Sequence, residues 1–477
     1  MRITSYGVYV PPWRIHRETI GRALGVRAGT GARAVAAHDE DTTSLGVEAA
    51  RKALVGTAVR DLELWFATTA PAYADKTNAV GAHAALSLDG DCAAYDVVGS
   101  VRSGFGALRA AADAAHAGRA ALAVLSDIRT GLPGSPDEVN GGDAAAAFVF
   151  SPGDPPIATQ LAAASVSREF LDRWRVPGEI ASHVWEERFG ETAYVPLAQQ
   201  AVQRALAQAC LEPSAIDHLV VAGPHVRATS AVTGKLGVGM QAVVDNLADR
   251  IGVPGAAQVG VLLAAALDRA GPDQVICVLA LADGADCLLL RTTDALASRA
   301  GMPTVEEQLA GWSRALSYHM FTSWRGVLRN TPPRRPDPDR PAAPPSLRSM
   351  RWKFAFEASR CTACGTRHLP PERVCMICRA IDQMTVEPLA DATGVVATFT
   401  VDRLAYSAPG VPLIAAVVDF DGGGRYACEL TDVDPDEIRI GMPVEMTFRR
   451  FYTVDGVHDY FWKARPLRTS RARSAAA

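Results

Sequence analysis

The sequence contains no apolar run long enough to cross a bilayer. Its best candidate, "AAQVGVLLAAAL", is cut off by Asp268 and Arg269. The opening stretch, "MRITSYGVYVPPWRI", lacks the long apolar core of a secretory signal. A cytoplasmic location with no membrane partner is therefore expected. Charge of one sign is missing too: 48 Lys and Arg face 52 Asp and Glu, a formal net charge of -4. That balance removes any general electrostatic drive toward nucleic acid or anionic lipid. Cysteine is scarce, nine in 477 residues, which excludes a disulfide-built scaffold. What remains is a chain 48% hydrophobic and too long for one core, so two or three domains are expected.

Residues 1–295 alternate short apolar runs with helical periodicity. "LELWFATTA", "AALAVLSDI", "AAAAFVFS", "HLVVAGP" and "VICVLALA" predict buried strands. "TSLGVEAARKALVG", "SGFGALRAAADAAHAG", "VPLAQQAVQRALAQACL" and "VGVLLAAALDRAG" predict helices, and the alternation predicts an α/β fold with a parallel or mixed sheet. A faint internal echo links "AALAVLSDI…GGDAAAAFVF" to "VICVLALADGADCLLLR": strand, Gly/Asp turn, small residues, strand. It suits a domain built of two similar halves.

From residue 296 the texture changes. "TVEEQLAGWSRALSYHMFTSWRGVLRN" predicts an amphipathic helix, and "TPPRRPDPDRPAAPPSLRSMRWK" predicts an extended Pro/Arg-rich path, either a linker or a strap on a partner, together spanning 296–355. "CTACGTRHLPPERVCMIC" then sets Cys361 and Cys364 two residues apart, and Cys375 and Cys378 likewise, with ten residues between the pairs. Two such knuckles aim four thiolates at one point, a closed tetrahedral site for structural zinc within 356–382; a rubredoxin-like iron site uses the same ligands. His368 lies inside the loop as a bystander. Period-two strands and Gly turns over 383–467, including "DGGG" at 421–424 as a hairpin turn, predict a small β-barrel. The tail 468–477 is expected to be disordered. Of the remaining cysteines, Cys210, Cys277, Cys287 and Cys428 read as small buried hydrophobes, and Cys92 as core.

One stretch raises a chemical question. "YDVVGSVRSGFGAL", residues 95–108, predicts a strand, a glycine-rich turn and a helix, an elbow that can seat a nucleophile over a helix N-terminus. The turn offers Ser100, Val101, Arg102 and Ser103, and no cysteine.

"SYGVYVPPWRI", "FATTAPAYADKTNAV", "LSDIRTG", "FLDRWRVPGEI", "ERFGETAY" and "IGVPGAAQVGVLLAAALDRAGPDQVICVLALADGADCLLL" resemble the hydroxymethylglutaryl-CoA synthase branch of the thiolase superfamily, in the family's order, over residues 1 to about 295. The C-terminal part, 310–467, resembles the DUF35 type: a helical lead-in, a rubredoxin-like zinc ribbon and an OB-fold. The resemblance implies a five-layered αβαβα domain, usually dimeric, followed by the ribbon and an all-β barrel. Members of the synthase branch use a Glu, a Cys and a His. By position these fall on Thr69, Val101 and Ala222. A one-residue shift would bring Ser100 or Arg102 to the nucleophile's place and His225 near the base.

None of the three residues at the ungapped positions can act as nucleophile or base. The expectation is therefore a non-catalytic subunit that joins a thiolase or ketosynthase partner in a carbon–carbon bond-forming acyltransferase complex. The Trp312–Trp324 helix and the Pro/Arg strap would dock, and acyl-CoA or acyl-carrier protein would supply the acyl arm. The alternative is an acyltransferase or condensing enzyme with a displaced nucleophile, drawn from Ser100, Ser103, Cys92 and His225. A third reading, nucleic-acid binding on Phe399, Phe448, Arg449, Arg450, Phe451, Tyr452, Tyr460 and Phe461, conflicts with the acidic balance and with the aromatic filling of small barrels.

Overall fold

A computed structural model describes every residue except 58, 300–301, 312, 332–335, 337, 405–410 and 468–477. The expected tail and Trp312 thus lie outside the described residues. The chain forms two compact units: Met1–Ala36, Leu45–Val80 and Asp89–Tyr318 make the first. Ala37–Ser44, Gly81–Leu88 and the chain from His319 onward make the second.

The first unit is organised by a nine-stranded mixed sheet. Its strands are β1 (Arg2–Tyr9), β2 (Glu63–Thr68), β3 (Ala94–Val98), β4 (Ala121–Ile128), β5 (Asp143–Phe150), β6 (Ala158–Ser167), β7 (His218–Ala222), β8 (Val275–Leu281) and β9 (Gly284–Thr292). The order is β7-β8-β9-β6-β1-β5-β4-β2-β3. All five apolar runs read as strands form them. β4, β5 and β8 are buried along nearly their whole length, as strands covered on both faces must be.

The internal echo is real at the level of topology. β2 runs parallel to β4, which pairs antiparallel with β5; β7 runs parallel to β8, which pairs antiparallel with β9. The halves meet at a short β1–β6 pairing, Arg2↔Thr159 and Ile3↔Ala158.

The predicted helices form as α1 (Thr42–Ala53), α2 (Ser103–His116), α3 (Glu187–Ala209) and α5 (Gln258–Arg269), with a short α4 (Val226–Thr233). α5 packs against β5 of one half and β7 of the other, so it lies in the middle layer, whereas α3 covers β6 and β9 from outside. Small residues make this possible. A Cβ on Gly104 of α2 would strike the Ala256 carbonyl, and one on Gly260 of α5 would lie 2.8 Å from the Ala146 Cβ.

Two local expectations are corrected. The long amphipathic helix is broken at Gly311 into α6 (Val305–Ala310), opened by a Thr304/Glu307 capping box, and α7 (Tyr318–Trp324). The second part of the Pro/Arg-rich stretch is not extended: it holds α8 (Ala343–Arg348), started by prolines in its first turn, and α9 (Met350–Ala355).

The second unit carries a three-stranded ribbon, β10 (Glu357–Cys361), β11 (Arg367–His368) and β12 (Met384–Pro388). It also carries a closed barrel of β13 (Thr393–Asp402), β14 (Leu413–Phe420), β15 (Arg425–Leu430), β16 (Pro443–Val454) and β17 (Val457–Pro466). Gly422, Gly423 and Gly424 all take positive φ, so "DGGG" is the hairpin turn between β14 and β15. Phe448 stacks on Tyr460 at 5.4 Å, and Trp462 is fully buried with its indole N–H on the Phe354 carbonyl, 2.8 Å.

Candidate functional site

The elbow is built as the sequence predicts. β3 ends at Val98, Gly99 turns with φ 115°, and α2 starts at Ser103. Ser100 and Val101 line a cavity of about 80 Å³ together with Gly99, Thr69, Arg129, Asp172, Arg173, Arg175, Tyr194 and Asp283. Two of the three positions implied by the resemblance, Thr69 and Val101, thus converge on one pocket. Ala222 does not line it: it is buried at the end of β7, paired with Ala280.

Thr69 is held rather than free. Its hydroxyl donates to the Asp127 carboxylate, with both oxygens at 2.8 Å, and accepts from Arg129 Nη1 at 2.9 Å. Asp127 is fully buried and also accepts from the backbone N–H groups of Thr69, Ile128 and Ala256. Burial raises its pKa, while Arg129 and these hydrogen bonds oppose the rise.

Arg129 continues the chain of contacts to Asp137 at 3.0 Å, and Arg173 reaches the same Asp137 oxygen at 2.6 Å. Burial alone would raise the Asp137 pKa, but the two guanidinium groups outweigh it and hold it low. Arg175 donates to the Thr69 carbonyl, and burial and Arg129 lower its own pKa. The Thr69 hydroxyl is therefore held on both its donor and its acceptor side by structural partners.

The substitutes sit as follows. Arg102 forks onto Asp286 at 2.8 and 3.0 Å, so it serves as an anchor for the elbow. Ser103 is the buried first residue of α2. Cys92 is half-buried rather than core; its thiol lies 2.7 Å from Asp61, and burial and that bond push its pKa up to about 12, away from the thiolate. His225 is buried against Gly190 with Nε2 3.9 Å from Asp172 Oδ2, and it lines a neighbouring cavity that shares Arg129, Arg173 and Pro224 with the first. Ser100 is the one substitute in the pocket itself.

Cys210 departs from its expected burial: it is exposed at the C-terminal end of α3 with φ 54°. Cys277 and Cys287 are buried, as is Cys428.

Asp127, Arg129, Asp137, Arg173 and Arg175 carry the site's electrostatics, and residue-by-residue reasoning did not single them out. For all but Asp137 the signal was present in "LSDIRTG" and "FLDRWRVPGEI", where Asp and Arg stand close together at the ends of apolar or aromatic segments.

In the second unit the four Sγ atoms of Cys361, Cys364, Cys375 and Cys378 all lie within 4.8 Å of one another, with Cys361–Cys378 at 3.6 Å and Cys364–Cys375 at 3.5 Å. A tetrahedron with metal–sulfur arms of about 2.3 Å has edges of about 3.8 Å, so the donor set fits a four-thiolate metal. The knuckles repeat one turn: Gly365 N–H donates to the Cys361 carbonyl at 2.8 Å, and Arg379 N–H to the Cys375 carbonyl at 2.9 Å, both with positive φ. His368 is buried on β11 and stands outside the cluster.

Two of the residues weighed for nucleic acid, Phe448 and Arg449, are fully buried, and Tyr460 is buried beside them. Tyr460 donates to Asp41 at 2.6 Å, and Arg449 is enclosed by carboxylates. No open stacking face remains on those three.

Comparisons with known proteins bear on both parts of the chain. Residues 387–449 match a family model described as ChsH2, C-terminal OB-fold domain. Over 335 residues the chain is 30% identical to the hydroxymethylglutaryl-CoA synthase of Pyrococcus furiosus, covering 68% of this chain and 95% of that protein. The corresponding synthase of Methanopyrus kandleri is 27% identical over 326 residues, covering 64% and 92%. Among solved structures, an HMG-CoA synthase complexed with CoA superposes with a TM-score of 0.59 at 16% identity, covering 68% of this chain and 90% of that one. The 3-oxoacyl-(acyl carrier protein) synthase III of Pseudomonas aeruginosa gives 0.55 at 21%, covering 61% and 98%. These structural likenesses show the thiolase-like fold. Among the described residues no helix is long and apolar enough to cross a membrane.

Proposed function

The chain belongs to the hydroxymethylglutaryl-CoA synthase family, and from that premise we propose that it is a member released from catalysis, acting as a subunit of a thiolase- or ketosynthase-type C-acyltransferase complex. The observation that carries the reading is the Thr69–Asp127–Arg129 contact beside Val101. The positions that would supply the proton-handling carboxylate and the thiolate hold a hydroxyl committed to structure and a side chain with no lone pair.

The domain keeps its pocket and its elbow, and the chemistry is placed in a partner's cysteine. A structural neighbour is described as complexed with CoA, which supports an acyl-CoA or carrier-borne thioester as the shared ligand. The partner would be a thiolase-like protein, with a homodimer formed through the first unit. The four cysteines would hold zinc as a structural ion, closing the ribbon with no position left for substrate.

Ser100 faces the cavity, but a serine hydroxyl attacks only when a base adjoins it. Among the described residues no hydrogen bond joins Ser100 to a base: of the arginines lining the same cavity Arg173 is held by Asp137 and Arg175 by the Thr69 carbonyl, and the Asp172 carboxylate lies beside His225.

The test is intact-protein mass spectrometry after incubation with acetyl-CoA and longer acyl-CoAs, followed by peptide mapping. The reading expects no acyl adduct on the chain alone, and acyl transfer only with a co-purifying thiolase-like protein. An adduct within residues 92–103 would overturn it and name a displaced nucleophile.

A further inference from the structure

The vacated pocket is roofed by a small hairpin, and its attachments are few. Arg173–Trp174 and His183–Val184 pair antiparallel at only two positions, His183↔Trp174 and Val184↔Arg173. So short a two-stranded element has little stability of its own. Trp174 stacks on His183 at 5.3 Å and 15°, with Trp185 at 6.4 Å, so ring contacts tie the two strands together. At its tip Val176 and Ile180 are exposed.

Among the described residues the hairpin is fastened by Arg173 on Asp137, by Arg175 on the Thr69 carbonyl and by a long 3.4 Å bond from Arg129 to the Ser182 hydroxyl. Among the described residues Arg175 has no carboxylate partner. The closed position also leaves Asp172 Oδ2 and Arg173 Nε buried without a hydrogen bond. Unsatisfied buried groups raise the free energy of the state that encloses them, and opening would hydrate both.

The cavity beneath is about 80 Å³. That is well below the roughly 300–1,000 Å³ typical of small-molecule pockets, so an acyl chain with its thioester needs more room than the cavity offers.

We propose that the hairpin 173–184 is a movable lid, locked by Arg173 on Asp137 and by Arg175 on the Thr69 carbonyl, which swings away to admit a thioester-borne acyl chain into the vacated pocket. The inference rests on the reading that the domain has kept its pocket without its chemistry.

The lid can be tested without any acyl transfer. Val101→Cys places a reporter thiol in the pocket wall, and the exposed Cys210 serves as an internal reference in the same chain. The metal-loaded full-length variant is treated in parallel with iodoacetamide and with fluorescein maleimide, and modification at each site is followed by peptide mass spectrometry.

The bulky reagent is expected to label position 101 at least tenfold more slowly than Cys210, with a smaller gap for iodoacetamide. Adding Arg175→Ala, or separately Asp137→Asn, is expected to raise the bulky-reagent rate at position 101 at least fivefold and leave Cys210 unchanged. Equal rates at the two sites from the outset, or no acceleration in either variant, would overturn the lid. A parallel rise at Cys210 would indicate general loosening and would also overturn it. An acyl adduct on the unsubstituted chain bears on the non-catalytic reading alone, so failure of one proposal is distinguishable from failure of the other.

Discussion

Arg449 and Asp39, 410 positions apart in the sequence, meet at 3.3 Å where both side chains are sealed from water. Glu40 at 2.6 Å and Asp432 at 2.7 Å complete the surroundings of the guanidinium, and Lys463 bridges Asp39 at 3.1 Å to Glu429 at 2.7 Å. The segment 37–44, which runs into the first turn of α1, is part of the barrel's unit. A buried cation among carboxylates adds little net stability as a group, yet it is costly to break. Arg449→Ala is expected to destabilise the second unit by about 3–5 kcal/mol, because it leaves Asp39, Glu40 and Asp432 buried without their counter-charge. Urea denaturation followed by tryptophan fluorescence checks this; a loss under about 1 kcal/mol would show that water reaches the cluster.

Acid should loosen the same segment. Burial, with help from Lys463, Arg449 and Arg450, lowers the His38 pKa from 6.5 to about 4, so the fold favours the neutral ring. For Asp39, Lys463 and Arg449 outweigh the effect of burial and hold the pKa below its ordinary value. Both folded-state values are depressed, so both contributions are present at neutral pH and fade as pH falls. His38 acts first, between about pH 6.5 and 4, and the shift corresponds to on the order of 3 kcal/mol. Denaturation midpoints measured from pH 7.5 to 4 should decline across that window. His38→Gln should flatten the decline, and an unchanged slope in that variant would exclude His38 as its source.

Returning the expected catalytic residue types should not restore an enzyme. Thr69→Glu brings a second carboxylate against Asp127, whose nearest cation, Arg129, already serves Asp137. The variant is expected to lose about 1–3 kcal/mol of stability. The double variant Thr69→Glu, Val101→Cys should show no acyl transfer when assayed by thiol release from acetyl-CoA. Thr69→Val, which removes the bridge between Asp127 and Arg129, should cost about 1–3 kcal/mol with no charge introduced.

The ribbon offers a prediction about metal. One equivalent of zinc per chain is expected by elemental mass spectrometry, and Cys361→Ser or Cys375→Ser should abolish it. Gly365 takes φ 76° in the first knuckle with nothing near its would-be Cβ, so Gly365→Ala tests backbone strain alone. It should cost about 1 kcal/mol, read as faster zinc loss to a chelator, while binding stoichiometry stays at one.

Much of the local structure was legible because periodicity follows directly from which faces are covered. "AALAVL" and "VICVLALA" are apolar along their whole length and became strands buried on both sides. "SGFGALRAAADAAHAG" carries a helical stripe and became α2. The breaks in the stretch after residue 300 were not legible, because an amphipathic pattern continues through Gly311 while the chain turns there to pair Arg314–Ala315 with Trp13–Arg14. Propensity yields to such long-range pairing, which no local window contains.

The sequence by itself determined the layered αβ domain, the four-cysteine cluster and the absence of a cysteine at the elbow, since each rests on residue type and spacing along the chain. Only the tertiary structure decided what occupies the vacated pocket. Asp127 and Arg129 share one strand end, but Asp137, Arg173 and Arg175 come from other segments, and nothing in the spacing says that they join one network around Thr69. Their effect depends on burial, which turns ordinary polar side chains into a locked network, and burial is a property of the folded whole.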